Sequence, residues 1–80
     1  MEDDELIYSP LERSETRDGV TVEIYIYRLA TEKAWILEVE DQDGGVTIWD
    51  DRFATDHDAL DAAMRAFDEE GIESFAEAVP

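Results

Sequence analysis

The stretch VTVEIYIY (residues 20–27) decides the fold. Val20, Val22, Ile24 and Ile26 alternate with Thr21, Glu23, Tyr25 and Tyr27, and a period of two is that of a β-strand with unlike faces. One face is wholly apolar and β-branched. The other mixes phenols with a carboxylate. Asp18-Gly19, just before it, is a two-residue hairpin signal, because Gly accepts positive φ without steric cost. LERSETR (residues 11–17) therefore reads as a polar edge strand folded back on this one.

Downstream, Trp35, Leu37 and Val39 alternate with Ile36, Glu38 and Glu40, giving a third strand over residues 34–40. Asp41-Gln42-Asp43-Gly44-Gly45 reads as a turn and Val46-Thr47-Ile48-Trp49 as a short fourth strand. After a connection at residues 50–54 the period changes. Thr55 is an N-cap residue, and Asp56, Asp58 and Asp61 suit the positive end of a helix dipole. Leu60, Ala63, Met64 and Phe67 follow at helical spacing, so a helix is expected over residues 56–70. Gly71 fits its left-handed end, with Ile72 placed to meet Phe67. Ser74 with Glu77 suggests a further turn that puts Phe75 and Val79 on one side.

Upstream, Leu6-Ile7-Tyr8 is an apolar triplet suited to anchoring the chain, while residues 1–5 read as a disordered acidic lead-in. Residues 6–80 are then a single α+β domain. Its expected form is a three- or four-stranded antiparallel sheet, a β-meander, followed by one α-helix packed on one face.

Composition narrows the partners. The chain has 80 residues, 23 acidic and 6 basic, and a formal net charge of −17. Such a surface repels phosphate backbones and anionic lipid, so direct nucleic-acid binding and membrane binding are not expected. A solvated or salt-adapted surface, divalent cations, a basic protein partner or a homodimer remain. With no cysteine there is no disulfide framework and no thiolate metal site. The acidic N-terminus has the wrong sign for a signal peptide, and a cytoplasmic location is the expectation.

Strand pairing gives the most specific reading. If Ile26 faces Trp35, then Ile24 faces Leu37 and Val22 faces Val39; Leu37 in turn faces Ile48, and Val39 faces Val46. That uniformly apolar face belongs under the helix. The reverse face then carries Tyr25, Tyr27, Ile36 and Trp49, bordered by Glu23, Glu38 and Glu40. These residues are cross-strand pairs on a half-exposed sheet, or they are covered by the Leu6-Ile7-Tyr8 triplet or by Phe75 and Val79, or they form a docking surface.

Catalytic chemistry finds little support. His57 is the sole histidine and, flanked by Asp56 and Asp58, reads as a surface residue. Asp41 to Gly45 begins like a calcium loop, but Val46 stands where that loop needs Gly, and Arg52 where it needs Glu. Asp50, Asp51, Asp56 and Asp58 make at most a weak cation site. No catalytic residue, cofactor or metal ligand is assigned.

Three stretches, SPLERSETRDGVTVEIYIYR (9–28), WILEVEDQDGGVTIWDDRFATD (35–56) and ALDAAMRAFDEEGIESF (59–75), resemble a group of small, acidic, uncharacterised bacterial proteins. The resemblance implies strands followed by one helix and carries no activity. In layout alone the chain is also similar to HicB-like antitoxins, which is an analogy of fold. The expected function is a non-enzymatic intracellular interaction or accessory protein using the aromatic sheet face. The alternative is an acidic regulator that neutralises a basic partner, antitoxin-like or a nucleic-acid mimic. A second alternative is a weak divalent-cation binder or small enzyme.

Overall fold

In the computed structural model, which describes residues 5–76, five strands precede two helices. They are β1 (Leu6–Tyr8), β2 (Arg13–Arg17), β3 (Val20–Leu29), β4 (Ile36–Glu40), β5 (Val46–Ile48), α1 (Asp56–Glu70) and α2 (Glu73–Ala76). The result is an open antiparallel sheet with α1 packed on one face, an α+β fold as the alternation patterns predict.

Asp18 and Gly19 both adopt positive φ, 53° and 81°, as a two-residue hairpin loop requires. Arg17 thereby lands opposite Val20, and β2 runs back along β3. β3 is ten residues long, and its far half pairs instead with β1, Tyr8 facing Tyr27 and Leu6 facing Leu29. β1 and β2 therefore lie end to end along one border of β3. The strand count is five rather than three or four because the apolar triplet extends this border instead of folding over the sheet.

The break between them is held by side chains. The Ser9 N–H donates to the Ile26 carbonyl at 2.9 Å, but the Ile26 N–H finds the Glu12 carboxylate at 3.1 Å. A side-chain oxygen thus replaces a backbone acceptor where Pro10 interrupts the strand. Glu5, assigned to the lead-in by its composition, is bonded: its carbonyl accepts from the Ala30 N–H at 2.9 Å. The rest of the proposed lead-in, Glu77 and Val79 lie outside the described residues.

On the other side β4 pairs with β3, Ile24 facing Val39 and Ile26 facing Leu37. This register is two residues from the expected one, and a slide of two preserves the faces. The β4–β5 register differs by one, and a slide of one inverts them. Glu40 faces Val46 and Glu38 faces Ile48, so Val46 and Ile48 point away from the helix. The cause is a turn one residue longer than the expected register allows, since that register would set Asp41 against Gly44. Asp41 and Gly45 close a three-residue loop through Asp41 N–H to Gly45 carbonyl at 2.8 Å, with Gly44 at φ 90° in its last position. The buried Asp41 carboxylate accepts from the Asp43 and Gly45 N–H groups at 2.9 and 2.7 Å and fixes that closure.

α1 is capped as its sequence indicates: the Thr55 hydroxyl accepts from the Asp58 N–H at 3.0 Å. The Gly71 N–H closes the far end on the Phe67 carbonyl, at φ 88°. Ala59, Ala63 and Phe67 are its buried residues, whereas Leu60 and Met64 flank them half-buried. The stripe is thus centred one position from the Leu60–Met64 line, because two alanines let the helix approach the sheet closely. Val22, Ile24, Ile26, Leu37, Val39 and Ile72 complete the core. Each contributes about 1.5–3 kcal/mol by leaving water. Phe75, on α2, closes one end by meeting Phe67 edge-on at 5.4 Å.

Candidate functional site

The face of the sheet opposite α1 is built in cross-strand rows. Tyr8, Tyr27 and Ile36 form one row; Tyr25, Glu38 and Ile48 form the next; Ser14, Glu23, Glu40 and Val46 form the third. Tyr25, Tyr27 and Ile36, three of the four residues expected there, are brought together on this outer face and are half-buried among their neighbours.

Trp49 is not with them. It packs against the core on the helix side, its indole stacked on Phe75 at 5.7 Å and 11°. The expectation that it joins the outer face is corrected by the one-residue difference in β5 register, which puts Thr47 and Trp49 on the helix side of the sheet. Phe75 follows Trp49 to the helix side, so it does not cover the outer face either.

In its place stand residues the sequence reading left out: Leu6, Tyr8, Val46 and Ile48, exposed by 39, 57, 49 and 54%. Their signal was present but weak. Leu6 and Tyr8 alternate with Ile7, and the Asp41/Gly44 spacing specifies the three-residue hairpin that aims Val46 and Ile48 outward.

Carboxylates are interleaved with these side chains. Glu23 lies directly opposite Glu40, an arrangement of like charges that opposes folding. Among the described residues, the ion pairs of Lys and Arg are Arg17 with Glu15 and Asp68, and Arg52 with Glu32. None reaches Glu12, Glu23, Glu38 or Glu40. Neutral donors serve these acids instead: Ser14 donates to Glu23 at 2.7 Å, Tyr27 to Glu38 at 2.7 Å and Tyr25 to Glu40 at 3.2 Å. Desolvation, then the bond to Glu38 and the charge of that carboxylate, push the Tyr27 phenol up to about 12. Tyr25 moves the same way, through desolvation and then Glu40. Glu12 is raised by desolvation, against the lowering effect of the Ile26 N–H, with Glu38 adding to the rise. Tyr25 and Tyr27 are thus held neutral, and these carboxylates carry no ion pair with Lys or Arg among the described residues.

Between the β1 tip and the centre of the sheet lies an open groove of about 320 Å³, lined by Leu6, Tyr8, Tyr25, Tyr27, Glu38 and Glu40. A second hollow, about 460 Å³, lies at the β3–β4 connection beside Arg28, Lys33 and Trp35. There the Arg28 guanidinium sits 5.1 Å over the Trp35 ring and donates to the Glu32 carbonyl at 2.8 Å, so its charge is already engaged.

His57 is well exposed, its Nδ1 3.6 Å from Asp56. Asp56 instead turns its other oxygen to the Ser9 hydroxyl at 2.8 Å. Among the described residues, no three His, Cys, Asp or Glu side chains are grouped as a metal ion would need. Nor is any described helix long and apolar enough to cross a membrane.

No family model, no curated protein and no solved structure matches the chain. The functional reading therefore rests on geometry.

Proposed function

We propose that the chain is a non-enzymatic interaction protein whose outer sheet face docks a basic protein partner. One observation carries this reading. An aromatic and aliphatic sheet face, with Tyr8, Val46 and Ile48 about half exposed, bears four carboxylates that form no ion pair with Lys or Arg among the described residues. Apolar area with a charged border is the anatomy of a docking site, and uncompensated acid selects a cationic partner. Pairing of two copies through this face would set these carboxylates against one another at a net charge of −17 apiece, which favours a basic partner over a homodimer.

The test is a titration of the isotopically labelled chain with a peptide of mixed Lys, Arg and Leu, followed by amide NMR at low and high salt. Shifts confined to β1, β3, β4 and β5, weakened in Ile48→Glu and by salt, are expected. Shifts spread over the acids of α1, or none at all, would remove the reading. Sedimentation equilibrium separates the homodimer: a concentration-dependent mass that Ile48→Glu abolishes would favour it.

A further inference from the structure

We infer that the groove between β1 and the centre of the outer face is a guanidinium site, built to take one arginine side chain of the partner. The inference rests on the proposed docking of a basic protein and names the chemistry of its anchor.

Three phenol rings and two carboxylates line one hollow, with Leu6 at its rim. The Tyr8 and Tyr27 ring centroids stand 6.0 Å apart with their planes inclined at 45°, so the two rings present differently oriented faces. Aromatic faces attract a cation through their quadrupole, and the attraction grows as water is displaced. Two of the three phenol protons are already committed, Tyr27 to Glu38 Oε1 and Tyr25 to Glu40 Oε1. The partnering carboxylates therefore orient these rings and keep their Oε2 atoms for an incoming donor. Glu38 and Glu40 are two apart on β4, so both present to the same face of the sheet.

Shape selects among cations. A guanidinium is flat, weakly hydrated and forked, so it lies on a ring while its edge serves carboxylates. An ammonium is a compact, strongly hydrated point charge, and this groove is too open to strip its water. The methylene stem of the arginine finds Leu6. The chain already uses this chemistry internally: Arg28 lies 5.1 Å over Trp35, and Arg17 lies 5.7 Å over Phe67. In the groove the rings and acids are present and the cation is to come from outside.

The experiment titrates the labelled full chain with Nα-acetyl-arginine methylamide, its lysine analogue and its neutral citrulline analogue. Ring signals of Tyr8, Tyr25 and Tyr27 and side-chain carboxyl signals of Glu38 and Glu40 are followed at low salt. Saturable shifts with the arginine compound are expected, with affinity at least about threefold weaker for lysine and no binding of citrulline. Tyr8→Ala, at an exposed position that leaves the fold intact, and Glu38→Gln, which keeps an acceptor for Tyr27, should each weaken binding at least about threefold. Equal response to citrulline, a lysine response matching that of arginine, or shifts scattered over the α1 acids would overturn the assignment. A basic peptide that moves Ile36, Val46 and Ile48 while leaving the groove unmoved would sink the guanidinium site and keep the docking face. If the peptide moves nothing, both fall.

Discussion

The Ser9 hydroxyl donates to Asp56 Oδ2 at 2.8 Å, joining the break in the border strand to the first residue of α1 across 47 positions of sequence. The same oxygen accepts from the Leu11 N–H at 2.9 Å, and Ser9 is buried. One small side chain thus fixes both the path of the chain past Pro10 and the place where the helix begins. Ser9→Ala removes both bonds and should cost about 1–2 kcal/mol in urea unfolding. Asp56→Asn keeps an acceptor and should cost less. Equal, negligible costs for both would show that the link does not matter to folding.

Trp49 and Ile48 are neighbours with opposite fates, and substituting them reads out the β5 register. Trp49→Ala removes an indole stacked on Phe75 and should destabilise by about 2–4 kcal/mol. Ile48→Glu, on the solvent side, should change stability by less than about 0.5 kcal/mol. Chemical denaturation of the pair decides the point, since the register expected from the alternation pattern demands the reverse order.

Asp41 holds the turn that sets this register. Asp41→Ala loses two charge-assisted bonds to N–H groups and should cost about 1–3 kcal/mol by thermal or urea unfolding. Gly45→Ala should also destabilise, because a Cβ there would stand 2.7 Å from the Asp41 carboxylate. A wild-type melting curve from either variant would contradict this account of the loop.

The outer face makes stability depend on alkaline pH. The Tyr27 phenol is raised in the folded chain from 10.0 to about 12, so its contribution is complete below pH 10 and is lost as pH rises through about 12. Tyr27→Phe should therefore show a shallower fall of melting temperature across that window than the wild type. Identical slopes would dismiss the linkage.

Glu12 behaves in the opposite range. Its folded-state value is raised above 4.5, so its favourable contribution is present below that pH and is lost as pH climbs past the folded value. Glu12→Gln retains an oxygen for the Ile26 N–H and removes the repulsion from Glu38. It should raise the melting temperature at pH 7, with a gain that fades on acidification below 4.5. A loss at neutral pH would show that the bond to Ile26 requires the charge.

Much of this was legible in the chain itself, and the exceptions have physical causes. Strict alternation over residues 20–27 identifies β3 and both of its faces, and Thr55 and Gly71 mark the ends of α1. Local chemistry alone decides such features. The side on which Trp49 lies depends on whether the hairpin closes at Asp41 and Gly45 or at Asp41 and Gly44, a choice made by a buried carboxylate that periodicity does not register. Likewise Tyr8 reaches the face only because Glu12 substitutes for a backbone acceptor and lets the border strand resume past Pro10. Tyr25, Tyr27 and Ile36 were readable because they sit on the long, regular strands; the groove they share with Tyr8 was not, since it is made by that irregular border.

The interrupted border has a further effect on how this chain survives in water. Fibrillar stacking needs an unbroken template of about six or seven residues with little charge. β1 offers three residues, β2 five and β5 three, and the gap between the first two is filled by an anionic side chain. Among the described residues, no outward-facing rim of the sheet is long enough to recruit a stranger's backbone, so the tyrosine-rich surface can stay bare without seeding amyloid.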